Sequence, residues 1–327
     1  MILVTGGAGF IGSNVVAALA GRGERVVVCD HLGAGDKWRN IARHEIHDLI
    51  QPSRCLDWLA SHDAQVKAVI HMGAISATTE ADADRLADAN VRLSLDLWEL
   101  CAARGKPLIY ASSAATYGDG SAGFDDDGRP EALARLKPLN GYAWSKHLVD
   151  RSIARRVAAG EPAPPQWAGL KLFNVYGPNE YHKGAMRSVL VQLHAQARET
   201  GRLRLFKSYR PDYPDGGQRR DFIYVRDCAE VILWLLDNPR VSGLFNLGTG
   251  KARSFLDVAR ALMKALPERR LEVEFFDMPP ALRDRYQYFT EAKMERLRAA
   301  GYTKPFTSLE EGVRDYVAGY LEKDEYR

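Results

Sequence analysis

The first thirteen residues constrain the fold more than any other part of the chain. Four apolar residues lead almost directly into glycines at positions 6, 9 and 12, and an apolar helical pattern follows. This order predicts a buried strand, a tight turn and a helix. Glycines there let the backbone turn sharply and approach a pyrophosphate, which the N–H groups of a helix N-terminus bind. The stretch therefore predicts dinucleotide binding.

A carboxylate after the second strand supports this prediction. Residues 25–30 form an apolar run that ends at Asp30, eighteen residues past Gly12. An acid at this position hydrogen-bonds the adenosine ribose in such folds. The following loop carries His31 and Lys37, which we expect near the ribose. Small residues at 72–74, directly after an apolar strand, would let a cofactor approach the backbone.

Strands and helices alternate through the first half of the chain. Apolar strands are predicted at 66–71, 107–113 and 170–174, with a helix over 84–104. Such alternation indicates a parallel sheet covered by helices on both faces. We therefore predict an α/β fold with a doubly wound Rossmann sheet. Asn90, in the predicted helix, is more simply a buried residue that ties strand to helix than a cofactor ligand.

The alternation lapses over 175–220 and again after residue 250. This predicts two parts. A cofactor-binding domain is expected from residues 1–174 plus about 221–248, and a smaller α/β substrate-binding lobe from residues 175–220 and 249–327.

Composition excludes several classes of partner. The net charge of +3 is too small to indicate nucleic acid or an anionic membrane, although it suits an anionic small molecule. No apolar run approaches the roughly 20 residues of a membrane span, and because a strand is predicted from residue 2, we expect no signal peptide. The cysteines, at 29, 55, 101 and 228, lack metal-like spacing. We expect reduced core thiols, no metal site and a cytoplasmic location.

Three residues form a candidate site for hydride-transfer chemistry. Tyr142 and Lys146 are four residues apart, which places both on one face of a helix. A lysine ammonium beside a phenol favours the phenolate and lowers the phenol pKa from ~10 towards the range of a general base. Ser113 ends a predicted strand, at the sheet edge where such folds bind ligands. Its hydroxyl would hold a substrate oxygen while Tyr142 takes the proton.

Motifs along the chain carry a family resemblance. The general ones are TGGAGFIG at 5–12, YxxxK at 142–146 and RDFxYV at 220–225. The more specific ones are ASSAATYG at 111–118, FNVYGP at 173–178, HKG at 182–184, RYQ at 285–287 and LRAAGYTKPF at 297–306. Together they resemble the extended short-chain dehydrogenase/reductases that act on nucleotide sugars, and more closely the ADP-L-glycero-D-manno-heptose 6-epimerase family. The resemblance spans essentially the whole chain.

The resemblance implies an isomerase that inverts C-6 of the heptose in ADP-D-glycero-D-manno-heptose, for lipopolysaccharide core precursor synthesis. The C-6 proton is too weakly acidic for direct removal, whereas transient oxidation to a ketone erases the stereocentre. The family scheme implies two acid/bases, Tyr142 and Lys183. Lys146 would tune Tyr142 and hold the nicotinamide ribose, and Ser113 would bind the reacting oxygen. The family also implies a homo-oligomer, a pentamer.

The family mainly uses NADP, and Lys37 falls where a phosphate-binding lysine is expected. Asp30 favours the alternative cofactor, NAD, because a carboxylate repels a 2′-phosphate. The residues expected to bind the cofactor are Gly6, Gly9, Phe10, Ile11, Gly12, Asp30, His31, Lys37, Asp48, Met72, Gly73, Ala74, Asn90, Lys146 and Val175.

The residues expected to bind substrate are Ser113, Asn174, Ala185, Gln192, Phe206, Arg220 and Tyr286. Ala185 stands where the family often has Ser, and Gln192 where a His is expected. Arg220, with Arg285 and Tyr286, is expected to bind the sugar diphosphate, because a guanidinium matches phosphate oxygens in a bidentate fork. A salt bridge from Arg220 or Arg285 to a neighbouring Asp is the alternative.

Three other functions use the same fold. A UDP- or GDP-hexose 4-epimerase or a 4,6-dehydratase would share the core residues. A dehydratase, however, typically carries an Asp-Glu pair after the active hydroxyl, where this chain has Ala114 and Ala115. A non-catalytic dinucleotide-binding regulator would commonly lose the tyrosine that this chain retains as Tyr142.

Overall fold

A computed structural model describes residues 1–283 and 286–327. Its strands are β1 (Ile2–Thr5), β2 (Val26–Cys29), β3 (Asp48–Ile50), β4 (Ala68–His71), β5 (Leu108–Ser113), β6 (Trp167–Leu172), β7 (Asn174–Tyr176), β8 (Arg202–Phe206), β9 (Arg219–Tyr224), β10 (Gly243–Leu247), β11 (Ala252–Ser254) and β12 (Glu272–Phe276).

The helices run between and after these strands. They are α1 (Phe10–Gly21), α2 (Cys55–Ser61), α3 (Ala83–Leu86), α4 (Leu93–Arg104), α5 (Pro130–Leu133), α6 (Gly141–Ala158), α7 (Val189–Glu199), α8 (Val225–Asp237), α9 (Phe255–Ala265), α10 (Pro280–Arg283), α11 (Glu295–Ala299) and α12 (Leu309–Gly319). Short 3₁₀ turns occupy some of the connections, among them Ala114–Tyr117 and Tyr181–Met186.

The large sheet has seven strands in the order β10-β6-β5-β4-β1-β2-β3, and each neighbouring pair is parallel. The strand order reverses between β1 and β4. In doubly wound sheets a ligand crevice opens at this point, beyond the carboxyl ends of the strands. The predicted doubly wound sheet is confirmed, and its topology places the glycine turn and Ser113 at the same edge.

Burial on both sheet faces explains the apolar strands. Ile2 and Val4 pack with α1 and α8 on one face, whereas Leu3 packs with α2 and α4 on the other. Successive side chains of a strand point to opposite faces, so a strand covered on both sides carries a continuous apolar run. This is why β1 could be recognised from its sequence.

Two smaller sheets lie in the later part of the chain. One has the order β11-β9-β7, and the other pairs β12 with β8. Thus β10 extends the large sheet, while β9 belongs to the three-stranded sheet. The proposed division into a cofactor-binding domain and a substrate-binding lobe stays a prediction.

The predicted helix over 84–104 contains a π-helical turn at Ala87–Arg92, between α3 and α4. Asn90 lies in this turn and is fully buried. Such turns are frequent at functional sites, because the widened backbone redirects a side chain. Among the described residues, no helix is both long and apolar enough to cross a membrane.

Candidate active site

The glycine turn packs closely against α1 and against the residues after β4. A Cβ on Gly12 would lie 2.0 Å from the Gly6 carbonyl oxygen, and a Cβ on Gly6 would lie 2.6 Å from the Gly73 backbone. Gly6 also has a φ of 63°, which disfavours a side chain. Glycine is therefore required at both positions. The first N–H groups of α1 have no carbonyl partner within the helix, so they can bind an anion.

Asp30 lies at the cleft edge beyond β2, in a paired state. Its carboxylate accepts hydrogen bonds from the Ala8 N–H at 2.9 Å, the His31 N–H at 2.8 Å and the Lys37 ammonium at 2.6 Å. Asp30 is only 7% exposed. The predicted ribose acid and the predicted phosphate lysine thus form one ion pair, in which Lys37 offsets the negative charge of Asp30.

Ser113, on β5, and Tyr142, on α6, lie close together in the cleft. Ser113 is the last residue of β5, and Tyr142 lies in the first turn of α6, which Asn140 caps by accepting the Ala143 N–H at 2.9 Å. Burial raises the pKa of Tyr142, and a hydrogen bond with the Ser113 side chain opposes this effect. The sequence predicts a lowered pKa for this phenol. The structure shows the opposite direction, because the cleft walls remove water from the phenolate.

Lys146 follows one helical turn later and is buried. Its ammonium donates to the Ala111 carbonyl at 2.8 Å, which directs it towards β5. Burial lowers the pKa of Lys146 to about 8, although the nearby Asp150 carboxylate favours the charged form. Lys146 therefore titrates near physiological pH.

A buried ion pair supports this part of the cleft from behind. Lys171 in β6 donates to Asp150 in α6 at 2.7 Å, and neither side chain is exposed. Asp150 also accepts the Ser112 hydroxyl at 2.7 Å, and Lys171 donates to the Thr116 hydroxyl at 2.7 Å. The pair joins β5, β6 and α6 next to Ser113.

Lys183 lies in the Tyr181–Met186 turn between β7 and α7. Its ammonium is 5.2 Å from the centre of the Phe10 ring, at the start of α1. Burial lowers the pKa of Lys183, and the Glu180 carboxylate opposes this shift. The Lys183 ammonium is therefore half-buried near the glycine turn, in surroundings that favour its neutral form.

The structure brings the four predicted catalytic residues together. Ser113, Tyr142, Lys146 and Lys183 all line one cleft of about 440 Å³. The predicted cofactor and substrate residues that line it with them are Gly6, Gly9, Phe10, Ile11, Gly12, Asp30, Lys37, Met72, Gly73, Ala74, Asn174 and Val175. An adjoining cavity of about 880 Å³ shares Gly6, Asp30 and Lys37 and adds His31. An extended cleft of this kind fits a dinucleotide.

Several predicted site residues lie outside the residues that line these cavities. Asp48 accepts the Trp58 indole N–H at 3.1 Å. Asn90 accepts the Ile75 N–H at 2.8 Å and donates to the Ser145 hydroxyl at 2.9 Å, so it ties the segment after β4 to α6. Ala185 is exposed, and the Gln192 side chain donates to the Arg187 carbonyl at 3.0 Å. Their predicted ligand contacts stay predictions.

Phe206, Arg220 and Tyr286 form a separate cluster. The Phe206 and Tyr286 rings are 6.0 Å apart, and the Arg220 guanidinium lies 5.3 Å from the Tyr286 ring and 5.7 Å from Phe255. Arg220 makes no ion pair within residues 1–283 and 286–327, and Asp221 instead accepts the Thr249 and Ala292 N–H groups. Arg285, and the Asp284 that would be its neighbouring partner, lie outside the described residues.

Some residues of the cleft were missed from the sequence. Arg187, Ser188, Phe222 and Phe255 line it. Phe222 stands in the RDFxYV motif and Arg187 follows the HKG motif closely, so proximity to a motif was an available signal. Phe255 shows no local signal, because only the pairing of β11 with β9 brings the start of α9 to the cleft.

Comparisons with known proteins agree with this geometry. The family model for NAD dependent epimerase/dehydratase proteins matches residues 2–248. An ADP-L-glycero-D-manno-heptose-6-epimerase of Nitratidesulfovibrio vulgaris is 52% identical over 324 residues, which are 98% of each chain.

Solved structures of nucleotide-sugar epimerases are also similar to this chain. The crystal structure of Helicobacter pylori ADP-L-glycero-D-manno-heptose-6-epimerase is 27% identical, with a TM-score of 0.80, and covers 97% of this chain and 95% of that chain. UDP-glucose 4-epimerase of Thermus thermophilus in complex with NAD is 26% identical, with a TM-score of 0.72, and covers 97% of each chain. The chain therefore belongs to the NAD dependent epimerase/dehydratase family and, within it, groups with the ADP-L-glycero-D-manno-heptose-6-epimerases, as its motifs predict.

Proposed function

We propose that the protein converts ADP-D-glycero-D-manno-heptose to ADP-L-glycero-D-manno-heptose by inverting C-6 of the heptose, a step that serves lipopolysaccharide core synthesis. The observation that carries the proposal is the presence of Ser113, Tyr142, Lys146 and Lys183 in one cleft that begins at the glycine turn. Similar proteins that are named ADP-L-glycero-D-manno-heptose-6-epimerase support the choice of substrate.

A bound nicotinamide supplies reversible hydride transfer at C-6. The chain supplies the proton transfers and the orientation. Ser113 would hold the C-6 oxygen, with Tyr142 and Lys183 as proton partners for the two epimers. Burial raises the pKa of Tyr142 and lowers that of Lys183, so it favours the neutral form of both side chains. A neutral phenol can donate a proton and a neutral amine can accept one, and the two roles exchange when the reaction reverses.

Membership in an NAD dependent family supports a nicotinamide dinucleotide as the cofactor. We propose NADP, with NAD as the alternative. The Lys37–Asp30 pair supports NADP, because Lys37 offsets the carboxylate charge that would repel a 2′-phosphate. Lys37→Met should therefore weaken NADP binding more than NAD binding, and equal losses for both cofactors would contradict the choice.

The aromatic and guanidinium cluster is proposed to bind the nucleotide diphosphate. Arg220 is 8% exposed, and within residues 1–283 and 286–327 its guanidinium contacts the Phe255 and Tyr286 rings and no carboxylate. A cation held this way can form charge-assisted bonds with phosphate oxygens, worth about 1.5–3 kcal/mol. Arg220→Ala should raise the KM for the nucleotide sugar roughly 10-fold or more, and an unchanged KM would remove Arg220 from the site.

The decisive experiment incubates the purified protein with ADP-D-glycero-D-manno-heptose and follows C-6 by NMR. Inversion in both directions supports the proposal. A parallel incubation with UDP-glucose tests the alternative, since formation of a C-4 epimer there and none with ADP-heptose would favour a hexose 4-epimerase. Cofactor binding without turnover on either sugar would favour the regulator. The cytoplasmic location and the homo-oligomer stay predictions.

A further inference from the structure

A fully buried carboxylate lies three residues before Lys183. Glu180 is 0% exposed and takes no part in the proposed proton transfers. It accepts hydrogen bonds from the Gly177 N–H at 3.3 Å, the Ser188 hydroxyl at 2.7 Å and the Ser188 N–H. These donors stand at the two ends of residues 177–188, which we call the Lys183 loop. One carboxylate thus closes the loop that carries Lys183.

The loop has little other regular structure to fix Lys183. It contains a 3₁₀ turn over Tyr181–Met186, interrupted at Gly184, whose φ is 54°. The Lys183 N–H donates to the Glu180 carbonyl at 3.1 Å. Glu180 therefore contacts Lys183 through the backbone and anchors both loop ends through its side chain.

Burial and the neighbouring groups act in opposite directions on the Glu180 carboxyl. Burial raises the pKa of Glu180, but the donors from Ser188 and Gly177 and the Lys183 ammonium act in the opposite direction. The phenols of Tyr181 and Tyr316 also face it, and burial raises the pKa of both, so they stay neutral. His182 is neutral too, because burial and the charges of Lys37 and Lys183 lower its pKa to about 4.

We propose that Glu180 is the positioning residue of Lys183, closing its loop with the side chain and accepting the Lys183 N–H with the backbone carbonyl. The inference rests on the proposed function, because it takes Lys183 as the proton partner of one C-6 epimer. It adds that a carboxylate outside the proposed proton transfers opposes the effect of burial on the pKa of Lys183.

The test is the pH profile of epimerisation for Glu180→Gln, measured from each epimer. Without the negative charge the pKa of Lys183 falls further, because burial is then opposed less. Lys183 must be protonated when it donates and neutral when it accepts. The rate from one epimer should therefore fall at high pH, which gives an alkaline limb in the profile. The rate from the other epimer should fall at low pH, which gives an acidic limb. Both limbs should move to lower pH by about one unit, and kcat should fall roughly 10-fold.

Glu230→Gln is the matched control. Glu230 lies on α8, outside the cleft-lining residues, and pairs with the exposed Lys304. The pH profile of Glu230→Gln should therefore equal that of the unaltered enzyme. If the limbs of the Glu180→Gln pH profile stay at the pH of the unaltered enzyme, the inference is overturned. Equal shifts of these limbs in Glu230→Gln would overturn it as well.

Glu180→Asp keeps the inference testable if Glu180→Gln fails to fold, which thermal unfolding would reveal. The shorter carboxylate keeps the charge but cannot span both loop ends. We expect limbs near the original pH and a lowered kcat, whereas an unchanged kcat would overturn the positioning role. Failure of the proposed function gives a different result, since the unaltered enzyme would not epimerise at all and both conclusions would fall.

Discussion

The two sides of the cleft that are proposed to exchange protons are built in different ways. Ser113 and Tyr142 stand on a six-residue strand and an 18-residue helix, backed by the buried Lys171–Asp150 pair. Lys183 stands on an interrupted turn, closed by the single side chain of Glu180. Ladders of backbone hydrogen bonds fix the first side, whereas a few side-chain contacts fix the second. The Tyr142 side should therefore tolerate change in its surroundings better than the Lys183 side.

The largest effect is expected on the Tyr142 side itself. Tyr142→Phe removes one proton partner, so epimerisation should fall roughly 10²–10⁴-fold in kcat. Thermal unfolding should change little, because backbone bonds hold α6. Tyr320→Phe, at the end of α12 and outside the cleft-lining residues, is the control and should keep normal turnover. Retention of more than about a tenth of the activity by Tyr142→Phe would show that Lys183 can serve both epimers.

A similar loss is expected from Lys183→Met. Two-base chemistry predicts a fall in kcat of roughly 10²–10⁴-fold, with cofactor reduction still observed from the epimer that Tyr142 serves. In a single-base scheme Lys183 only grips the substrate, so the same variant would raise KM and leave kcat nearly intact. Steady-state kinetics from each epimer separates the two, and the exposed Lys304→Met serves as control.

The contrast between the sides also explains what the sequence could predict. The glycine turn, Asp30 and the Tyr142–Lys146 spacing lie on regular elements, where period and motif are visible locally. Lys183 was found only by resemblance, because an irregular turn has no period. Glu180 and the Lys171–Asp150 pair were not predicted. Their partners are distant in sequence or lie across an irregular loop.

Residue spacing and family resemblance also have limits at the level of single residues. The lowered pKa predicted for Tyr142 considered Lys146 and not burial, and burial determines the direction in the structure. Gln192 falls at a family position, yet its side chain bonds the Arg187 carbonyl. Burial and hydrogen-bond partners depend on neighbours from other elements, which neither spacing nor a motif specifies.

The buried pair can be tested by stability. Lys171→Met leaves the Asp150 carboxylate buried without its cation, which should lower the free energy of unfolding by about 3–5 kcal/mol. The exposed pair of Lys67 with Glu24 is the control, and Lys67→Met should cost at most about 1 kcal/mol. Denaturant unfolding measures both. Equal losses of unfolding free energy would mean that the buried ion pair does not stabilise the Tyr142 side. The difference between the two sides would then come from backbone hydrogen bonds alone.

The smallest effect expected is a pH dependence that distinguishes the two lysines. Burial lowers the pKa of Lys146 to about 8, so its ammonium is present below that pH and is lost above it. In the proposed mechanism Lys146 acts with Tyr142 in both directions, so kcat/KM should fall to about half near pH 8 from either epimer. In the same mechanism Lys183 exchanges roles between directions, so the pH limb that it causes should be alkaline from one epimer and acidic from the other. Measuring both profiles assigns each limb. If the alkaline limb near pH 8 occurs from one epimer only, it belongs to Lys183, and Lys146 serves to orient the cofactor without its charge entering the rate.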